Sequence, residues 1–276
     1  TPTVWLRCVR EWFNGDDASI LGLQEWLGYL LAADTSMHKV LFLVGPRRSG
    51  KGTILDTLTK LVGSVNTAST TFAGLGENFG LESLLGKRVA IIPDGRLSGR
   101  TDTAAVVERL LSISGEDAQS VNRKNRRRIT TRLRVRFVIA SNEIPRLPDA
   151  SGALASRFHI LHTPNSWFGK EDRGLKGKIA AELPGILVWA AQGWVRLQQQ
   201  GAFTGNTAAE QYANQLADLS SPIRAFVRDA CSVGPEHSVE IPTLFQAWRD
   251  WNEQRHRECG SELTFGKDIK LSLIHI

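Results

Sequence analysis

The chain has 276 residues, 42% of them hydrophobic, which excludes a disordered chain and allows one large domain or two modest ones. Its formal charge of +6 favours an anionic partner, although net charge alone does not separate that from an ordinary basic surface. Three widely spaced cysteines, Cys8, Cys231 and Cys259, with no CxxC, argue against a disulfide framework or a zinc site and fit a reducing compartment.

Residues 4–33 read as helices with apolar positions three to four apart and Asp17 or Ser19 available as a cap. "KVLFLVG", Lys39–Gly45, reads as a buried parallel strand. "GPRRSGKGT", Gly45–Thr53, then turns into the helix "TILDTLTKLVG". A strand, a glycine loop and a helix in this order point to a phosphate-binding loop made of Gly45, Pro46, Arg47, Arg48, Ser49, Gly50, Lys51, Gly52 and Thr53. Backbone N–H groups and the helix N-terminus face the anion, and Lys51 reaches the outer phosphates. Arg47 and Arg48 are expected to face solvent. Gly52 departs from the usual Ser or Thr, whose hydroxyl holds Mg²⁺. One helical residue is a rotation of about 100°, so Thr53 does not simply inherit that position. Mg²⁺ is expected to lean on water, nucleotide oxygens and Asp94, with Thr53 assisting.

"KRVAIIPD", Lys87–Asp94, reads as a second strand, next to the phosphate strand, with Asp94 at the sheet rim as the acid that holds Mg²⁺. The plain alternative for "PDG" is a turn. A helix is expected at about Thr103–Ile113. Arg123–Arg136 then holds Arg123, Lys124, Arg126, Arg127, Arg128, Arg132, Arg134 and Arg136 and no acid. The β-branched "ITT" suggests a hairpin, and its basic residues suit phosphate-backbone contact more than base readout. A third strand, "RVRFVIASN", ends on Asn142, which is placed to orient water at a γ-phosphate. Arg157, in "ALASRF", is a candidate arginine finger toward a neighbouring subunit's nucleotide. No second acid directly follows Asp94, and the water-activating base is not identified; the sequence does not single out Glu108 or Glu116 for it.

Pro184–Gln200 reads as an amphipathic helix with proline in its first turn. A linker is expected near Gly201–Thr207, followed by shorter helical units. No apolar run approaches the roughly 18 residues of a membrane span, and no signal peptide is visible, so a cytoplasmic location is expected. Thr1 is not Met, and "LSLIHI", Leu271–Ile276, resembles a translated sequencing adapter. The chain therefore reads as a fragment, and Leu271–Ile276 is left out of fold reasoning.

Taken together, "LVGPRRSGKGTIL", "LLGKRVAIIPDGRLSGRTD", "VVERLLSISGEDAQSVNRKNRR" and "FVIASNEIPRLPDASGALASRF" resemble the superfamily 3 helicase part of phage and plasmid primase-helicases, over roughly residues 15–200. The resemblance implies an α/β fold with an AAA+-like P-loop core. It divides the chain into a helical segment (1–38), an ATPase domain (39–204), a partial winged-helix-type module (205–270) and the adapter (271–276). It implies a hexameric ring using ATP and Mg²⁺, moving 3′–5′ on single-stranded DNA and unwinding forked DNA in a bacterial or phage-infected cell, with a primase domain upstream. Lys51 and Thr53 then match the phosphate loop, Asp94 the acidic motif, Lys124 the DNA-contacting hairpin, Asn142 the sensor and Arg157 the finger. Two rival readings stand beside it: a phosphotransferase of the adenylate-kinase kind, suggested by "GKGT", and a DNA-binding module that no longer hydrolyses, suggested by the missing second acid.

Overall fold

The structure is a computed structural model that describes the chain except residues 98, 100, 146, 148–152, 206–210, 213–214, 216–221, 235, 256–258 and 274–276. Its elements are α1 (Thr3–Trp12), α2 (Asp17–Leu31), β1 (Val40–Val44), α3 (Lys51–Val62), β2 (Thr67–Ser69), α4 (Phe72–Gly76), β3 (Val89–Ile92) and α5 (Thr103–Ser114). Then come β4 (Ala118–Arg123), β5 (Arg126–Arg132), β6 (Arg136–Ser141), α6 (Ala153–Arg157), β7 (Phe158–His162), α7 (Leu175–Ala181) and α8 (Leu183–Gln200). The tail holds α9 (Pro222–Ala230), α10 (Ile241–Glu253) and α11 (Glu262–Leu273).

Five strands form a parallel sheet in the order β2-β3-β6-β1-β7. β1, β3 and β6 are buried along their whole length, as expected for strands covered on both faces. Alternation along each strand divides their side chains between two cores. Leu41, Leu43, Val138 and Leu161 pack with α1, α2, α3 and α8. Val40, Phe42, Phe137 and Ile160 pack with α4 and α5. A third cluster, built on Phe226, Trp248, Trp251 and Phe265, belongs to the tail helices.

Four details differ from the sequence reading. β3 does not neighbour β1, because β6 lies between them. The cap of α2 is Asp16, whose carboxylate accepts from Ala18 N and from the Ser19 hydroxyl. It wins over Asp17 and Ser19 because it has the extended backbone that an N-cap needs, with φ −69° and ψ 100°. Among the described residues, no strand forms between α9 and α10, so the tail is helix, loop, helix, helix. Finally, α11 runs through Leu271–Leu273; residues 274–276 of the suspected adapter, and 206–207 of the expected linker, lie outside the described residues.

The basic run does form an antiparallel hairpin, β4 with β5, closed by Lys124 and Asn125. Asn125 has φ 57°, a left-handed position that asparagine tolerates well. Val121 anchors the hairpin in the core with no exposed surface. Arg136 is not part of its charged face. It is buried at the start of β6 and donates to the carbonyls of Tyr29, Ala32 and Asp34, closing the C-terminal end of α2.

Candidate functional site

The C-terminal ends of β1, β3 and β6 and the first turn of α3 meet at one end of the sheet. The glycine-rich loop joins β1 to α3 there. Gly50 has φ 98°, and an added Cβ would lie 2.6 Å from the Trp12 ring, so both its conformation and its packing require glycine. At Gly45 an added Cβ would collide with the carbonyl and hydroxyl oxygens of Thr163. Gly52 is different: φ is ordinary for a helix start and an added Cβ would meet nothing within 4 Å.

Lys51 folds back over its own loop. Its ammonium donates to Gly45 O at 2.6 Å, Pro46 O at 2.7 Å, Ser49 Oγ at 3.2 Å and Asn142 Oδ1 at 3.3 Å. Burial pushes its pKa down to about 8, since carbonyl dipoles only partly replace water around the charge. The structure thus brings Lys51 and Asn142, 91 positions apart, into direct contact.

Pro46, Arg47 and Arg48 are exposed, and Arg48 pairs with Glu171 at 3.2 Å. The segment after β7 straps the loop from outside: Ser166 Oγ donates to Arg47 O at 2.7 Å and Trp167 N to Arg48 O at 3.0 Å. Thr163 bonds Ser49 from beneath at 2.7 Å. Sequence reasoning missed this strap because its contacts are polar, irregular and more than a hundred residues apart.

Asp94 lies two residues past β3, at the same end of the sheet as the loop. Gly95 N donates to Ala140 O at 2.8 Å, holding the turn against β6. Arg96 embraces Asp94 with Nε 2.9 Å from both carboxylate oxygens and Nη2 2.6 Å from one of them. These bonds hold the carboxyl below its usual range, with a smaller contribution from Arg47. Glu143, directly after Asn142, also acts on Arg96. Arg96 and Glu143 were not read as site residues, although "PDGR" places an arginine two positions from its acid.

Thr53 lies in the first turn of α3, half-buried, with its N–H bonded to Gly50 O at 2.9 Å. His162 sits at the end of β7, its pKa lowered by burial and then by the charge of Lys51, and its ring centroid is 4.9 Å from that of Tyr212. Among the described residues, no group of three or more His, Cys, Asp or Glu side chains gathers as a metal site.

Arg157 is not part of this cluster. It precedes β7, whose first residue pairs with Val40 and whose last pairs with Val44. Four to five residues of strand, about 16 Å, separate it from the loop end. Its guanidinium lies 3.4 Å from His38 O, at the opposite end of the strands. It therefore does not reach Lys51 of its own chain. On the hairpin, Lys124, Arg126, Arg127 and Arg128 are exposed, while Arg123 is half-buried and donates to Arg127 O at 2.9 and 2.7 Å.

No described helix is long and apolar enough to cross a membrane. Residues 43–157 match the model of a family of unknown function, DUF5906. Two apo structures of the NrS-1 C-terminal region are similar to the chain. One has a TM-score of 0.61 at 15% identity and the other 0.62 at 16%; each match covers 98% of this chain and 62% of the solved one. The chain therefore spans about 62% of the length of those solved chains. At this identity the likeness is one of fold, an α/β architecture with a mostly parallel central sheet.

Proposed function

We propose that this chain is the motor part of an ATP-dependent DNA helicase of phage or plasmid replication, with an AAA+-like P-loop core. The observation that carries the reading is the contact of Lys51 with Asn142 at the mouth of the glycine-rich loop, at the sheet end that also bears Asp94. In this reading Lys51 exchanges its loop carbonyls for phosphate oxygens. Asn142, already held by the ammonium, orients the attacking water. Bound Mg²⁺ would neutralise charge on the outer phosphates.

The residues present fit Mg²⁺ with a nucleotide. Asp94 offers an exposed carboxylate, Thr53 a half-buried hydroxyl, and the space above Gly52 is open. With so few protein donors, water and phosphate oxygens would complete the metal's shell. Arg96 must leave at least one oxygen of Asp94 for this to happen. Arg157, at the end of the strands away from the loop, is suited to a neighbouring subunit's nucleotide in a homo-hexamer. The β4–β5 hairpin carries Lys124, Arg126 and Arg128 toward the single-stranded DNA backbone, with Arg127 on its other face contributing less and Arg123 bracing it. A primase domain upstream and a cytoplasmic setting belong to the same reading.

The pairing of both Asp94 oxygens with Arg96 favours a second reading, a DNA-binding module that holds nucleotide without splitting it. Phosphate release with and without single-stranded DNA separates the two. A motor hydrolyses ATP faster when DNA is added; release that DNA leaves unchanged supports the second reading.

A further inference from the structure

Thr163 directly follows β7 and has no exposed surface. Its N–H donates to Val44 O at 2.9 Å, and its hydroxyl reaches the same oxygen at 3.3 Å. That hydroxyl also lies 2.7 Å from the hydroxyl of Ser49, which is 1% exposed. Each hydroxyl has one proton to give, and a carbonyl only accepts. The arrangement that gives both protons an acceptor has Thr163 donating to Val44 O and Ser49 donating to Thr163. Ser49 Oγ is left as an acceptor, and the Lys51 ammonium fills that role at 3.2 Å. The bonds run one way, from Lys51 to Ser49 to Thr163 to the end of β1.

We propose that Thr163 is a positioning residue for the glycine-rich loop, holding Ser49 and, through it, the Lys51 ammonium in place for a nucleotide phosphate. This rests on the phosphate-loop reading above. Ser49 has committed its proton to Thr163, so it has none to donate to phosphate and acts as a fixed support for the lysine. Lys51 also donates to the Asn142 amide oxygen and to the carbonyls of Gly45 and Pro46, and phosphate oxygens can replace those two carbonyls. Both residues of the support, Ser49 and Thr163, are buried. Without the Thr163 hydroxyl, the Ser49 proton has no partner in place, and the loop must shift to find one. Nor can glycine at position 45 be replaced to compensate, because Thr163 occupies the space an added Cβ would take.

The test compares Thr163→Val, which keeps the shape and removes the hydroxyl, with Thr163→Ser, which keeps the hydroxyl. Titration with a fluorescent ATP analogue in Mg²⁺ should show about tenfold weaker binding for Thr163→Val, the equivalent of one buried hydrogen bond. Thr163→Ser should stay within about twofold of the parent, a rescue that mere packing would not give. Hydrogen exchange without nucleotide should quicken over residues 45–51 in Thr163→Val and not in Thr163→Ser. Unchanged binding and exchange in Thr163→Val, or a Thr163→Ser variant as impaired as Thr163→Val, overturns the proposal. If the parent binds no nucleotide but the exchange difference is present, the nucleotide reading falls and the positioning role stands. Should Thr163→Val not fold, Ser49→Ala breaks the same link from the loop side and must quicken exchange over the same residues.

Discussion

Neighbouring residues of a β-strand face opposite ways, so Arg126, Arg127 and Arg128 cannot act as one patch. β5 shows the alternation: Ile129 and Thr131 are half-buried, whereas Arg128, Thr130 and Arg132 are exposed. Arg126 and Arg128 therefore share the outer face, and Arg127 lies on the side of Ile129, which packs on the core. Each phosphate contact to a single strand contributes about 0.7 to the slope of log K against log salt. Replacing Arg126 and Arg128 with Gln should lower the slope by about 1.4 and weaken binding about 25-fold at 0.1 M salt. Arg127→Gln should change the slope by less than half as much. The assay is fluorescence anisotropy with a labelled oligo-dT across a salt series. An unchanged slope in the double variant, or a single Arg127 variant equal to it, refutes the reasoning.

Lys51→Ala should abolish ATP hydrolysis, because the outer phosphates lose their main charge partner; full turnover in a phosphate-release assay would sink the site assignment. Gly52→Ser should fold with an unchanged or slightly raised melting temperature, since the new side chain meets nothing within 4 Å and serine exceeds glycine in helix propensity by a few tenths of a kcal/mol. It should also lower the Mg²⁺ concentration needed for half-maximal nucleotide binding, and a rise in that concentration would count against the open metal approach. Burial holds His159 down to about 4, against the opposing pull of a backbone hydrogen bond with Gly22, and its ring stacks against both Trp26 and Phe203. Its neutral form is the folded one, so the associated stability is complete above pH 6.5 and is lost as pH falls from about 6.5 to 4. The loss amounts to about 3 kcal/mol at most. Urea unfolding at pH 7 and pH 4.5 measures it, and a His159→Phe variant with an undiminished loss would remove His159 as its cause.

Local chemistry alone determined much of this protein. An apolar run with glycine at its end reads as β1 and its loop, because a buried strand needs continuous apolar residues and the turn needs freedom that only glycine has. β-branched residues among arginines read as a hairpin for a similar reason. β7 was not legible, because two histidines interrupt "FHILH"; only burial against Trp26 and Phe203 shows that His159 belongs in the core. Likewise, Arg136 reads as one more charge in a basic run until the end of α2 is seen to supply three carbonyls to it. Strand order was also out of reach, because hydrophobic pattern specifies that a strand is buried and not which strand lies beside it. Tertiary structure decided that β6 separates β1 from β3, that Asn142 meets Lys51 while Arg157 points away, and that Thr163 supports the loop. Each of these rests on contacts between residues far apart in the chain, with directions that the fold alone sets.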